Sequence, residues 1–363
     1  MRLAAQSTSD ACAGLGSTPP SLEKFVMKKV WKWRLWAKVP SVLATGMLCM
    51  MAGAHLAAHA QAKPADYPSK TVRIVVPFPP GGSMDALARQ IAQALSLSWN
   101  HPVVVENRDG ASGIIGLSSV AKSAPDGYTL GVVANSFVAN TLLRHDMPYD
   151  AFGSFEPVSL LASVPYVLVT NASLPSSSLS EFIAYAKSHP DTLNYASGGN
   201  GTMSHLGAEM LKDAIGIKAA HIPYRGQAPA LTDTVSGQVS FTMGNLPEVI
   251  SHTESGKVHA LAIMSNTRSP LLPNTPTLSE SGFEPLNVGS WYGLVAPHKT
   301  PQAVLDHIQK SISKVLDQAS FRQKLEKQGF EVVGSTPSEF EAFMHHESAI
   351  YEKVIDSAKI KVQ

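Results

Sequence analysis

The stretch 74–92 reads IVVPFPPGGSMDALARQIA and predicts a strand that turns directly into a helix. Its first residues are β-branched and apolar, as in a buried strand, and from Ser83 onward the apolar residues recur at helical spacing. Gly81 and Gly82 join the two elements. A glycine turn that leads into a helix start leaves backbone N–H groups free, so it is either a simple connection or an anion site.

The chain begins with the three parts of a secretory signal. A basic segment, 28–38, precedes an apolar run over 39–58, and Ala60-Gln61-Ala62 forms a small-residue cleavage site. A transmembrane anchor is the competing interpretation of the apolar run, but the cleavage site and the polar segment after it favour removal. We therefore predict that 1–62 holds an extension and a cleavable signal (about 27–62), that Met27 rather than Met1 is the true start, and that the protein is exported to the periplasm.

The remainder, 63–363, is expected to fold without disulfides. Both cysteines, Cys12 and Cys49, precede it, so its stability must come from a large core. The full chain has a net charge of +1, and loss of the basic leader leaves a slightly acidic remainder. It contains no basic patch, which argues against nucleic acid as a partner.

Strand-like and helix-like segments alternate along this remainder, which predicts an α/β fold with mainly parallel sheets flanked by helices. Strands are predicted at 72–76, 103–105, 129–133, 157–170, 258–264 and 293–295, and helices at 83–97, 113–123, 179–188, 301–318 and 337–356. Two strands, within 158–170 and 289–296, are expected to link two domains. We predict a discontinuous first domain, 63–164 with 286–363, and a second domain, 165–285.

The turn at Gly81 and Gly82 is the first candidate binding site. Ser83 can cap the helix, and Asp85 lies in its first turn, where the helix dipole favours a carboxylate. These roles explain the motif without any ligand. Phe78 adds weight to a binding function, because an aromatic residue in a proline-rich turn is expected to be partly exposed.

A second glycine turn, within YASGGNGTMSHLGAEM, follows another predicted strand. It offers backbone N–H groups and hydroxyls ahead of a helix start, at Ser197, Gly198, Gly201 and Thr202. It lacks the lysine and the spacing of a phosphate P-loop, so a carboxylate fits its neutral donors better. His205 and Glu209 are four residues apart, as metal ligands on a helix are, but without a third ligand they are expected to make only helix-face hydrogen bonds.

Three further strand ends carry polar residues. Tyr224 and Arg225 end one strand, and Arg225 has the fork geometry that binds carboxylates, although a surface role explains it equally well. Asn245 ends the next strand, and Asn135 and Ser136 end an earlier one. Because ligands bind beyond the carboxyl ends of strands in open α/β sheets, these turns are expected to share one cleft.

The sequence lacks the usual signatures of catalysis and of cofactors. There is no G-x-S-x-G nucleophile elbow and no cysteine in 63–363, and PPGGSMD does not form the G-x-G-x-x-G dinucleotide fingerprint. A secreted α/β hydrolase and a cofactor-binding oxidoreductase are the alternatives, and a Ser-His-Asp triad stays open because the chain holds 13 histidines. We predict a binding protein that is not an enzyme and uses no cofactor and no metal.

The chain resembles the Bug family, the periplasmic solute-binding receptors of tripartite tricarboxylate transporters. The segments that carry this resemblance run in family order from about Tyr67 to the C-terminus, and they are VPFPPGGSMDALAR, PDGYTL, PYDAFGSFEPVSLL, SGGNGTMSHLGAEM, HIPYRGQAPALTD, GKVHALAIMSNTRSPLLPNTPTLSESGF and WYGLVAPHKTP. Arg225 stands where many members carry lysine, which keeps the charge. The extension before Met27 is atypical of the family.

This resemblance implies a two-domain Venus-flytrap of the type II periplasmic class, which holds a small carboxylate between its lobes. The ligand would be a di- or tricarboxylate, an acidic amino acid, nicotinate or an aromatic acid, with the turn 78–82 at one carboxylate and the turn 197–202 facing it. Asp85 matches an aspartate that suits an ammonium group in members that bind amino acids. The expected protein partner is a membrane permease or a sensor kinase, and the receptor itself is expected to be a monomer. The predicted ligand-binding residues are Phe78, Gly81, Gly82, Asp85, Asn135, Ser136, Ser197, Gly198, Gly201, Thr202, His205, Tyr224 and Asn245.

Overall fold

The stretch 74–92 forms the expected strand and helix in the computed structural model, which describes residues 67–357. Strand β1 is Val72–Val76 and helix α1 is Ser83–Trp99. Leu87, Ile91 and further apolar residues of α1 are buried, as the spacing requires. The predicted leader, both cysteines and both candidate start residues lie outside the described residues.

The other elements follow with short joins. The strands are β2 (Val103–Asn107), β3 (Thr129–Val133), β4 (Phe155–Asn171), β5 (Asn194–Ser197), β6 (Ala220–Pro223), β7 (Phe241–Asn245), β8 (Val258–Ile263), β9 (Gly289–Pro297) and β10 (Glu331–Val332). The helices are α2 (Ile114–Ala121), α3 (Asn135–Leu143), α4 (Leu179–Ser188), α5 (Met203–Ile215), α6 (Gln227–Val235), α7 (Leu246–Glu254), α8 (Gln302–Leu316), α9 (Ala319–Glu326) and α10 (Pro337–Ser357). Each predicted segment has its counterpart here, with ends that differ by a few residues. Helix α3 had no sequence signal, because its first six residues are all buried and leave it no polar face there.

The strands follow one path in the order β2-β1-β3-β9-β4-β7-β5-β6, and β8 and β10 pair with β4 off this path. Pairing is parallel at β1–β2, β1–β3, β5–β6 and β5–β7. It is antiparallel wherever β4 or β9 takes part. The predicted α/β fold with flanking helices is confirmed, but its sheet is mixed rather than mainly parallel. The reason is that β4 and β9 both enter the middle of the path and run against their neighbours.

Strand β4 is 17 residues long and changes partners midway. Its first part, from Phe155 to Pro165, pairs with β9, and its last part, from Tyr166 onward, pairs with β7 and β8. The predicted domain limit at 164/165 lies one residue before this change of partner. The domain limits themselves stay a prediction.

Two large apolar clusters flank this path of strands. One joins β1, α1 and α8 through Ile74, Leu87 and Ile308, which are all fully buried. The other contains Phe137 and Phe182, so both sides of the mixed sheet are covered. Within residues 67–357, no helix is long and apolar enough to span a membrane.

Candidate functional site

A cavity lies where five strand-to-helix turns meet. β1 leads into α1, β3 into α3, β5 into α5, β6 into α6 and β7 into α7, and residues of all five turns line a cavity of about 70 Å³. Tyr166 of β4 and Ser290 and Tyr292 of β9 complete the lining. One buried water needs roughly 10–15 Å³, so the space suits a small ligand or a few waters.

Most of the predicted site residues come together here. Those that line the cavity are Phe78, Gly82, Asp85, Asn135, Ser136, Gly198, Thr202 and Asn245. Those that lie outside its lining are Gly81, Ser197, Gly201, His205 and Tyr224. Polar lining residues without a sequence prediction are Ser83, Tyr166, Ser204, Gln227, Glu248, Ser290 and Tyr292.

The charges around the cavity are unusual for an anion site. Among the described residues, its lining holds two carboxylates, Asp85 and Glu248, and no lysine, arginine or histidine. Five helices, α1, α3, α5, α6 and α7, begin at it. Each helix start presents N–H groups without intrahelical partners and about half a positive charge. Such a lining can hold an anion without burying an opposing ion in an empty cleft.

Asp85 holds the turn before α1 in place. Its Oδ2 accepts hydrogen bonds from the Gly81 N–H at 3.1 Å and from Arg89 Nε at 2.9 Å, and its Oδ1 accepts one from Asn107 Nδ2 at 2.9 Å. Asn107 Nδ2 also donates to the Phe78 carbonyl. Burial raises the pKa of Asp85, but the bonds from Arg89, Asn107 and Gly81 outweigh it and lower the pKa below its usual range. Both Asp85 oxygens are therefore engaged within the chain.

The carboxyl group of Glu248, a residue of α7, lies at the start of α1. Its Oε1 accepts hydrogen bonds from the Ser83 N–H and the Ser83 Oγ, both at 2.8 Å, and from Asn245 Nδ2 at 3.2 Å. Ser83 Oγ also lies 2.6 Å from the hydroxyl of Tyr292. Burial raises the pKa of Glu248. In this structure the carboxyl group of Glu248 bonds to Ser83 beside Gly82, where a ligand carboxylate was predicted, and that ligand site stays a prediction.

Asn135 and Ser136 differ in how they use their side chains. Asn135 Nδ2 donates to the Gly289 carbonyl at 3.0 Å and to the Tyr351 hydroxyl at 2.7 Å, while its Oδ1 accepts from the Trp291 N–H. Asn135 therefore holds β9 and α10 in position. The Ser136 hydroxyl makes no hydrogen bond within residues 67–357, and Ser136 lines the cavity.

The turn 197–202 is stabilised by hydrogen bonds within the turn and to the first residues of α5. The Gly198 N–H donates to Ser204 Oγ, and the Gly201 N–H donates to His205 Nδ1. Thr202 Oγ1 donates to the Gly199 carbonyl at 2.7 Å. Gly198 and Thr202 line the cavity. Gly201 and His205 do not line it, and the hydrogen bond between them stabilises the turn.

His205 belongs to a buried stack rather than to the cavity. Its ring lies 4.0 Å from that of His221, and the rings are almost parallel. Burial lowers the pKa of His205 and, with the neighbouring His205, lowers the pKa of His221 to about 4. Glu209 accepts from Tyr195 and Lys212 instead of pairing with His205. Among the described residues, no group of three or more His, Cys, Asp or Glu side chains is placed to hold a metal.

One serine does meet an imidazole, which bears on the hydrolase alternative. Ser197 Oγ lies 2.6 Å from His221 Nε2. Ser197 is fully buried and does not line the cavity, and the His221 ring is stacked between His205 and Tyr195. No carboxylate of the described chain bonds to His221. This pair has neither substrate access nor the third group of a triad.

The turn after β6 contributes through its glycine and glutamine. The Tyr224 hydroxyl donates to Asp233 at 2.6 Å, and Arg225 is exposed and outside the lining. Gly226 and Gln227 line the cavity instead, and Gln227 Nε2 donates to Thr242 Oγ1 and to the Met243 carbonyl.

The most informative residue that sequence reasoning missed is Glu248. Its signal lay in the predicted turn MGNLPE, where Asn245 is followed three residues later by a glutamate, as in a capping box. In a capping box the glutamate bonds back to its own helix start. Here Glu248 bonds to the Asn245 side chain at its own helix start and also reaches across to α1, where its contact with Ser83 joins residues 165 positions apart.

Comparison with known proteins identifies the family to which this chain belongs. The family model described as tripartite tricarboxylate transporter family receptor matches residues 87–360. Protein BugT of Bordetella pertussis is 35% identical over 299 residues, which cover 82% of this chain and 92% of BugT.

Solved structures show the same similarity. Rpa4515 of R. palustris, solved with adipate, is 36% identical with a TM-score of 0.79, covering 82% of this chain and 99% of that one. MatC of Rhodopseudomonas palustris, with bound malate, is 33% identical with a TM-score of 0.75, covering 80% and 100%. The predicted type II Venus-flytrap class is thereby confirmed. The chain belongs to the tripartite tricarboxylate transporter receptor family, the family of the Bug proteins.

Proposed function

We propose that this chain is a periplasmic receptor that captures a small carboxylate in the cavity and delivers it to a membrane permease or a sensor. The main support for this proposal is that five helices begin at a cavity whose lining, among the described residues, has no cationic side chain. Backbone N–H groups and helix dipoles then supply the positive potential. Adipate and malate, the ligands of two relatives, are both carboxylates. The protein acts without catalysis, as a monomer, after cleavage of its signal.

The proposed lobes are 63–164 with 286–363 and 165–285, with the ligand between them. Several hydrogen bonds run between these segments, and two pairs of residues illustrate them. Ser83 donates to Glu248, and Ser112 Oγ donates to the Asn200 carbonyl at 2.7 Å. A receptor that closes over its ligand needs contacts of this kind at the mouth of the cleft.

We place the ligand carboxylate at the starts of α3 and α5. The Ser83 N–H at the start of α1 is taken by Glu248, so Gly81 and Gly82 shape the cavity rather than bind the anion directly. The Ser136 hydroxyl, which has no hydrogen-bond partner within residues 67–357, and the turn at Thr202 both reach the cavity and remain available to a ligand. Bridging waters complete the contacts to β4 and β9.

A thermal-shift experiment with two charge variants tests this function. The protein is first unfolded and refolded to remove any bound ligand, then melted with di- and tricarboxylates, acidic amino acids, nicotinate and aromatic acids. Ligand at a hundred times its dissociation constant stabilises by about 2.7 kcal/mol, which is several degrees for a protein of this size.

Ser136→Asp places a second anion at the start of α3, where the dipole favours it, and is expected to abolish the response while the protein stays folded. Ser180→Asp, in the first turn of α4 and exposed, is the matched control and keeps the response. An unresponsive wild-type protein, or an equal response of Ser136→Asp, would refute the proposed function.

A further inference from the structure

Three acceptor oxygens beside the cavity have no hydrogen-bond donor in the part of the chain that the structure describes. Glu248 Oε2, Asn245 Oδ1 and Gln227 Oε1 are buried without a partner among the described residues, and all three side chains line the cavity. Asn245 is only 4% exposed. Buried polar atoms are usually paired, so three orphan acceptors at one site need a common explanation.

The orientation of the two amides follows from their other bonds. Gln227 Nε2 donates to Thr242 and to Met243, at 3.1 and 2.9 Å. Asn245 Nδ2 donates to Glu248 Oε1. Each amide nitrogen already has an acceptor, so the unpaired atom of each amide is its oxygen. A ligand that bonds to these atoms must therefore supply hydrogen-bond donors.

Asp85, the residue first expected to meet an amine, already has hydrogen-bond partners within the chain at both its oxygens. These partners are Gly81, Arg89 and Asn107. Glu248 is the other carboxylate of the lining, and one of its oxygens is unpaired. The acidic group open to a ligand is therefore Glu248.

We propose that the ligand carries a protonated amine besides its carboxylate, and that Glu248, Asn245 and Gln227 bind this amine. The inference rests on the proposed function, because it concerns the same cavity. A primary ammonium has three donors and no acceptor, which matches three orphan oxygens. A ligand without the amine would displace water from these oxygens and leave them unpaired.

The charge of Glu248 fits this arrangement. Burial raises the pKa of its carboxyl, and an ammonium at contact distance reverses that effect and keeps the carboxylate ionised. The carboxylate of the ligand then lies toward α3 and α5, and the amine lies toward α6 and α7. The receptor thus selects small amino acids over simple organic acids.

Matched ligand pairs that differ only in the amine test the proposal. Calorimetry of the refolded protein, made from the full-length sequence, compares aspartate with succinate, glutamate with glutarate, and β-alanine with propionate. For at least one pair the amine member is expected to bind at least tenfold tighter. In Glu248→Gln this preference is expected to fall at least tenfold, because the amide can turn N–H donors toward the amine. Glu254→Gln, on the exposed end of the same helix, keeps the wild-type preference.

The possible results distinguish a failure of the amine proposal from a failure of the proposed function on which it rests. Equal or tighter binding of the amine-free members by the wild-type protein overturns the inference and leaves carboxylate capture standing. Binding of no carboxylate, with or without an amine, overturns both. The wild-type comparison decides even if Glu248→Gln does not fold.

Discussion

Replacing Asp85 by asparagine measures how much the hydrogen bonds of its carboxylate, which hold the turn before α1, contribute to the stability of the protein. The carboxylate is 5% exposed and accepts three hydrogen bonds of 2.9 to 3.1 Å. Asparagine has the same shape, but its NH₂ group must point either at Asn107 or at Gly81 and Arg89. At least one hydrogen bond is then replaced by two facing donors.

The expected loss is about 2–3 kcal/mol of unfolding free energy. A hydrogen bond to a charged group contributes about 1.5–3 kcal/mol. The ion pair adds little, because the Arg89 side chain is 51% exposed. For domains of 150–250 residues, each kcal/mol shifts the melting temperature by about 2–4 °C. We therefore expect the variant to melt roughly 4–12 °C lower.

Urea unfolding monitored by circular dichroism is the assay, with Asp126→Asn as the control. Asp126 pairs with Lys70 at 3.4 Å on the surface, so its replacement is expected to cost less than about 1 kcal/mol. Because the pKa of Asp85 is lowered in the fold, its contribution is complete above the unfolded pKa of about 3.9. It is lost as pH falls through the lower, folded pKa. Equal losses for the two variants at neutral pH would refute the reasoning.

Two further predictions concern the core and the histidine stack. In Gly293→Ala the new Cβ would lie 2.0 Å from Phe340 Cζ, which is expected to cost about 3 kcal/mol in urea unfolding. Gly256→Ala meets open space at φ +69° and should cost about 1 kcal/mol; similar losses would contradict the packing argument. His221, with its pKa lowered to about 4, is neutral in the fold, so stability should fall as pH drops from about 6.5 toward 4. His221→Asn should reduce that slope by up to about 1.4 kcal/mol per pH unit, and an unchanged slope would contradict the assignment.

The parts of the fold that local patterns could predict are those whose partners lie close in sequence. The turn at Gly81 and Gly82 joins β1 to α1 as expected, because strand, glycines and helix all leave a signal within twenty residues. The turn at 197–202 is a similar case. For the same reason eight predicted site residues, each of them at the last residue of a strand, within a strand-to-helix connection or in the first turn of the helix after it, line one cavity.

The parts that could not be predicted depend on distant contacts. The bond from Ser83 to Glu248 spans 165 positions, and no local pattern encodes it. Asp85 fits equally well as a free carboxylate in the cavity until Asn107 is placed beside it. The mixed sheet has the same origin, since the direction of β9 relative to β3 depends on the path of everything between them.

The position of β9 governs the order in which the chain can fold. In the sheet β9 lies between β3 and β4, yet along the chain it follows them by more than a hundred residues. The edge of β3 that faces β9 therefore has no partner from β9 until the segment near residue 297 has been synthesised. Long-range closure of this kind is slow, so the nascent chain stays unfolded for longer than one whose strands pair in sequence. For the export proposed for this chain that delay is an advantage, because a chain that has not yet folded passes a narrow membrane channel more easily than a folded domain.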